Sequence, residues 1–210
     1  LVKFFTICYG MHQKIIGIVG FIGSGKGTIG EYLVDSHGFT AYSFGSSLKD
    51  VLASIFGWPR DLLEGATAES RAWREQSDQW WSTALGRPVT PRWAMQCIGT
   101  DVMRNHFFSN IWVASLERKI MNDSGSCVIT DVRFRNEIDL IRHMGGELWW
   151  VKRDPLPIWF DCARSTPELM PQLWPQIHPS EYLWLNCGPL HVVNNNGTLD
   201  ELKQNIQSLL

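Results

Sequence analysis

No run of this chain is apolar for long enough to span a bilayer. Neither sign of charge dominates, since 19 Lys and Arg stand against 21 Asp and Glu, mixed along the sequence. That balance speaks against a general nucleic-acid binder, whose affinity needs a basic face. No membrane association and no stable binding to nucleic acid are expected. The five cysteines form no C-x-x-C pair and sit near no histidine cluster, so neither a zinc site nor a disulfide framework is spelled out. A reducing, cytoplasmic setting is the expectation. Internal repeats and low-complexity tracts are missing too. The apolar opening LVKFFTICYG is too short for a secretory signal and has no small-residue cleavage site. With Met11 following at once, residues 1–10 are expected to be an upstream extension.

What is present suits a globular α/β domain: 210 residues, 44% of them hydrophobic. Eleven tryptophans are unusual, and most are expected to pack inside or half inside. Strand-like runs occur at 14–20, 39–44, 126–131, 146–152 and 190–194, each short, apolar and bounded by turn formers. Helical patterns fall between them at 26–36, 46–56, 69–84, 91–105, 109–121, 134–144 and 198–210. Thr90 before Pro91 marks one helix start, and Thr198 with Glu201 makes a capping box for the last. Strands alternating with helices predict a three-layer α/β fold with a mainly parallel five-stranded sheet. The proline-rich stretch 154–181 reads as a long or partly helical flap.

GFIGSGKGT, residues 20–28, follows the first strand and opens a helix. Glycines at 20, 23, 25 and 27 let backbone N–H groups turn toward phosphate oxygens, and the helix N-terminus adds positive potential. Lys26 can reach the outer phosphates of a nucleoside triphosphate, and Ser24 and Thr28 offer hydroxyls. A glycine, Gly27, stands where most phosphate loops carry Ser or Thr, and Thr28 follows one step late. This spelling looks like the loop of nucleoside monophosphate kinases. A second cluster lies in VITDVRFRNE, where Asp131 ends a strand and Arg133 occupies the turn. In open α/β sheets ligands gather beyond the carboxyl ends of strands. A carboxylate there can hold magnesium, and an arginine can neutralise phosphate charge. Glu137 is open to two roles, at the ligand or at its own helix N-terminus. Arg135 reads as a solvated charge.

The stretches GFIGSGKGT, SSLKDVLASIFGW, PRWAMQCIGTD, NIWV, VITDVRFRNE, IHPSE and VVNNNGTLDEL together resemble the bacteriophage-type deoxynucleoside monophosphate kinases of the P-loop kinase superfamily. They run in the family's order over nearly everything from Met11 onward. The resemblance implies a helical acceptor-binding insert at about 45–122 and a lid at about 153–185 within one domain, 11–210. It implies ATP as donor, with Gly20, Gly23, Ser24, Gly25, Lys26, Gly27, Thr28, Asn194 and Asn195 at its site. It implies Mg2+ near Thr28 and Asp131, and a deoxynucleoside monophosphate acceptor near Asp101, Trp112 and Glu137. Lys26, Arg92, Asp131 and Arg133 are the implied catalytic set. His178, Ser180 and Glu181 match a lid motif whose role stays open. Lys49 could meet the acceptor phosphate or simply face solvent. Trp112 is expected to wall off the position of a 2′-hydroxyl. A homodimer would be unsurprising for that family. Many members carry aspartate after the loop lysine, so Gly27 puts the metal arrangement in question.

The expected activity is transfer of the ATP γ-phosphoryl group to a deoxynucleoside monophosphate, giving the diphosphate for DNA precursor synthesis. The rivals are another P-loop small-molecule kinase, resembling adenylate kinase or dephospho-coenzyme-A kinase, and a nucleotide-dependent regulatory module. A panel of acceptors separates the first, and acceptor-free ATP hydrolysis stimulated by DNA would mark the second.

Overall fold

The computed structural model describes residues 14–188 and 190–210, so the expectation for residues 1–10 lies outside the described residues. The chain divides into two compact units, residues 1–44 with 117–210, and residues 45–116.

The first unit is built on five parallel strands: β1 (Ile15–Val19), β2 (Thr40–Tyr42), β3 (Cys127–Ile129), β4 (Glu147–Lys152) and β5 (His191–Asn194). Their order in the sheet is β2-β3-β1-β4-β5. The central strand β1, IIGIV, is buried at every position, as a parallel strand covered on both faces must be. Its alternate residues serve different layers. Ile16 and Ile18 join Val128, Trp149, Val151 and Val193 beneath Ile29 and Leu33 of helix α1 (Lys26–His37) and the C-terminal helix. Each such side chain contributes about 1.5–3 kcal/mol of transfer free energy. On β1's other face Gly17 leaves room for a helix, since a Cβ there would come 2.5 Å from Ile141 Cδ1.

The second unit contains α2 (Ser46–Phe56), α3 (Ala68–Trp73), α4 (Gln79–Leu85), α5 (Pro91–Gln96) and the first half of α6 (Ile111–Met121). The single helix expected over 69–84 is two, because Asp78 caps the second. Its carboxylate accepts from the Trp81 N–H at 2.9 Å and from the Trp58 indole at 2.8 Å. Trp58 stacks on Phe56 at 4.2 Å within a core of Leu52, Leu63, Val89 and Ala94. Thr90 caps α5 with Pro91 at its first position, as the sequence predicts. Beyond Gln96 the chain widens into π-helical winding over Cys97–Phe107, where a continuous α-helix to 105 was expected.

The first unit continues with α7 (Arg135–His143), α8 (Phe160–Ser165), α9 (Met170–Leu173) and α10 (Leu199–Gln207). Thr198 and Glu201 form the expected capping box on α10. The flap over 154–181 consists of α8, α9 and two single 3-10 turns. Tryptophans explain how so irregular a segment is held. Phe21 of the glycine loop is buried against Trp159 and Trp184, each at 5.2 Å, and against Phe160 at 6.0 Å. Of the eleven tryptophans, ten are buried or half-buried, and Trp80 is exposed.

Candidate active site

The glycine loop leaves β1 and turns into α1 through Gly25, whose φ of 101° is a left-handed conformation that disfavours a side chain. A Cβ at Gly25 would also strike the Asn195 amide. That amide donates to the Ser24 carbonyl at 2.8 Å, while the Asn195 backbone N–H donates to Lys152 O at 2.8 Å. Asn195, expected to contact the donor base, is therefore the brace that ties β5 to the phosphate loop. The Asn194 carbonyl accepts from the Asn205 side chain at 3.0 Å.

Two features of the loop fit a polyanion. The Lys26 ammonium folds back on its own loop, donating to Gly20 O at 2.6 Å and Phe21 O at 2.8 Å. Burial, and next the nearby Arg133 guanidinium, push its pKa down to about 8, with Glu181 pulling the other way. The Ser24 hydroxyl is buried and has no hydrogen-bond partner among the described residues. An orphaned hydroxyl beside a desolvated ammonium is costly unless a ligand meets both. Thr28 and Gly27 are exposed on the first turn of α1, and a Cβ at Gly27 would meet nothing within 4 Å.

Asp131 stands just past β3 and stitches that strand to the end of β2. It accepts from Ser43 Oγ at 2.7 Å and from the Phe44 N–H at 3.0 Å. One fixed carboxylate and an exposed hydroxyl fit magnesium, which commonly takes one or two protein carboxylates with substrate phosphates and water. Among the described residues no group of three or more His, Cys, Asp or Glu side chains is placed to hold a metal by itself.

Arg133 joins the unassigned lid motif to this cluster. Its guanidinium donates to Glu181 Oε1 at 2.7 Å and more weakly to Ser180 Oγ at 3.4 Å. His178 Nδ1 accepts from the Ser180 N–H at 3.2 Å and bonds the Ser180 hydroxyl at 2.8 Å, which shapes the turn that presents Glu181. Sequence spacing carries no signal for this, because the partners lie 47 and 48 residues apart. Of the two roles open to Glu137, the structure displays the one at its own helix N-terminus: it is 2% exposed and its Oε2 accepts from the N–H groups of Arg133 at 2.8 Å and Phe134 at 3.1 Å. It braces the Arg133 turn from its own helix N-terminus.

In the second unit, Arg92 donates to Glu75 at 2.8 Å and remains 44% exposed. An exposed pair of this kind is worth about 0–1 kcal/mol, so an anion can replace Glu75. Lys49 is engaged by Glu64, which Arg60 shares. Asp101 is exposed within the π-helical segment. Trp112 is 5% exposed, with its indole N–H donating to Gly99 O at 2.9 Å, and so supports the π-helical segment that carries Asp101.

The family described as deoxynucleotide monophosphate kinase matches residues 81–158, a range that contains Arg92, Asp101, Trp112, Asp131, Arg133 and Glu137. The deoxynucleoside-5′-monophosphate kinase of Escherichia phage T5 is 42% identical over 55 residues, 26% of this chain and 22% of that one. The solved structure of TT1252 from Thermus thermophilus aligns over 94% of this chain and 96% of its own at 20% identity and a TM-score of 0.44, too distant to carry an argument. A protein of Acanthamoeba polyphaga mimivirus, provisionally named a deoxynucleotide monophosphate kinase, is 32% identical over 154 residues, 66% of this chain and 74% of that one. With kinship of that extent to a relative so named, the chain belongs to the deoxynucleotide monophosphate kinase family.

Proposed function

We propose that this chain transfers the γ-phosphoryl group of ATP to a deoxynucleoside monophosphate, with magnesium, and so supplies diphosphates for DNA synthesis. The observation that carries the donor half is that one glycine loop holds both a desolvated Lys26 ammonium and a buried Ser24 hydroxyl without a partner among the described residues. Both groups gain partners when a triphosphate enters. The loop's N–H groups and Lys26 hold the donor phosphates. Magnesium, when bound by Asp131 and Thr28 with the phosphates, would neutralise charge developing on the transferred group. Arg133, fixed by Glu181 and Glu137, adds positive charge at the same end of the sheet. Arg92 and Asp101 serve the acceptor. A phosphate acceptor oxygen is already a competent nucleophile, so these groups bind, orient and screen, and no general base is needed.

A coupled assay across the eight common ribo- and deoxynucleoside monophosphates tests the reading. ATP-dependent phosphorylation of at least two deoxynucleotides is expected. Turnover of none of the eight by folded protein would overturn it.

A further inference from the structure

The helical unit contains an arginine whose guanidinium has no hydrogen-bond partner among the described residues. Arg74 closes α3 and is half-buried, yet its side chain makes no hydrogen bond and no ion pair among the described residues. Its Nε is enclosed and without a partner. A buried charged donor left in that state is expensive, and native proteins tolerate it chiefly where something else supplies the acceptor. The nearby carboxylates are engaged elsewhere. Glu75 pairs with Arg92, and Glu64 is held by Lys49 and Arg60.

The backbone sets a second guanidinium beside it. The Arg92 N–H donates to the Arg74 carbonyl at 2.9 Å. Burial first, and then the positive charge of Arg92, push the Arg74 pKa down; Arg71 adds to this, while Glu75 and Glu64 oppose it. The guanidinium lies over Gly65, where an added Cβ would collide with its Nη2 and Cζ. The missing side chain is therefore a seat that holds the arginine in place. Two like-charged guanidinia with one weakly held carboxylate, Glu75, beside them leave about one positive charge unmatched. A phosphate monoester dianion answers that charge, with oxygens suited to guanidinium forks.

We propose that Arg74 and Arg92 together grip the phosphate of the monophosphate acceptor, with Arg74 as a binding residue in its own right. The proposal rests on the acceptor role given to Arg92 above. The alternative is that Arg74 only covers apolar surface with its stem.

Binding by the full chain to thymidine monophosphate against thymidine, and to deoxyguanosine monophosphate against deoxyguanosine, separates the two. Calorimetry without ATP is run on the parent chain, Arg74→Gln and Arg74→Lys. The parent should bind monophosphates more tightly than nucleosides. Arg74→Gln should weaken monophosphates by about 10- to 100-fold, the size of a lost charged hydrogen bond, and leave nucleosides within about twofold. Arg74→Lys should fall between. Equal weakening of both ligands, or of neither, in a variant folded by circular dichroism overturns the proposal. If Arg74→Gln does not fold, the same comparison in Arg74→Lys decides. A parent that gains nothing from the phosphate would instead refute the acceptor reading itself, a distinguishable result.

Discussion

Arg133 and Glu181 are joined by a 2.7 Å hydrogen-bonded ion pair, and the two act on Lys26 with opposite sign. Arg133 lowers the lysine pKa and Glu181 raises it, with burial the larger influence in taking it to about 8. Phosphate binding favours the ammonium, so the lysine's pKa rises in the complex. ATP affinity should therefore be flat from pH 7 to about 8 and fall above it, by up to tenfold per unit. Glu181→Gln removes the group that raises the pKa, so the break should move to lower pH. Titration of ATP affinity between pH 7 and 9.5 checks this. A break that stays in place, or moves upward, in Glu181→Gln would disprove the coupling.

Lys26→Met keeps the stem and removes the charge. Turnover should drop by about 10²–10³, the usual loss for one preorganised contact to a transferring group. The alkaline break in ATP affinity should disappear with it. Near-normal turnover in the folded variant would remove Lys26 from the donor site.

Glu137→Ala leaves the N–H groups of Arg133 and Phe134 without the carboxylate they share. Each unsatisfied donor costs about 1–3 kcal/mol, and each kcal/mol is worth about 2–4 °C in a protein of this size. The variant should melt at least about 4 °C lower. Its kcat should fall too, because Arg133 loses its fixed turn. Glu137→Gln, which keeps one acceptor oxygen, should recover part of both. An unchanged melting temperature in Glu137→Ala would return the residue to the ligand side.

These residues also show what the sequence carries. Caps at Thr90 and Thr198, the five strands and the phosphate loop were legible because each depends on residues close along the chain. The break at Asp78 has a local cap, the Trp81 N–H three residues on, while the same carboxylate is also held by Trp58, 20 positions away. The π-helical turn at Cys97–Phe107 has the apolar spacing of an α-helix but bonds one residue further back. Roles for His178, Ser180 and Glu181 needed Arg133, and the unpaired state of Arg74 needed Arg92 and Gly65. Each is a juxtaposition made by folding, with no local signature. Trp112 and Glu137 carry a related ambiguity, because a residue type that suits a ligand equally suits the support beneath one.

Sugar discrimination is where that lesson has most effect. With Trp112 buried and bonded to Gly99 O, we expect the indole to act through the backbone it supports rather than as a wall against a 2′-hydroxyl. It positions the turn that carries exposed Asp101. Trp112→Phe keeps an aromatic ring but loses the second ring of the indole and the donor to Gly99 O, the latter a loss of about 1–3 kcal/mol. The variant should melt lower, and kcat/KM should fall for deoxy- and ribonucleotide acceptors by the same factor. In the parent chain deoxynucleotides should be preferred, by no more than about 10²-fold if the excluding surface is apolar. A ratio that narrows in Trp112→Phe would restore the indole as the excluding wall. A parent chain that phosphorylates ribonucleotides equally well or better would count against the deoxynucleotide acceptor and favour an adenylate-kinase-like specificity. Measuring kcat/KM for matched deoxy and ribo pairs in both proteins distinguishes all of these results, because the parent ratio reports the substrate class and the change in ratio reports the residue.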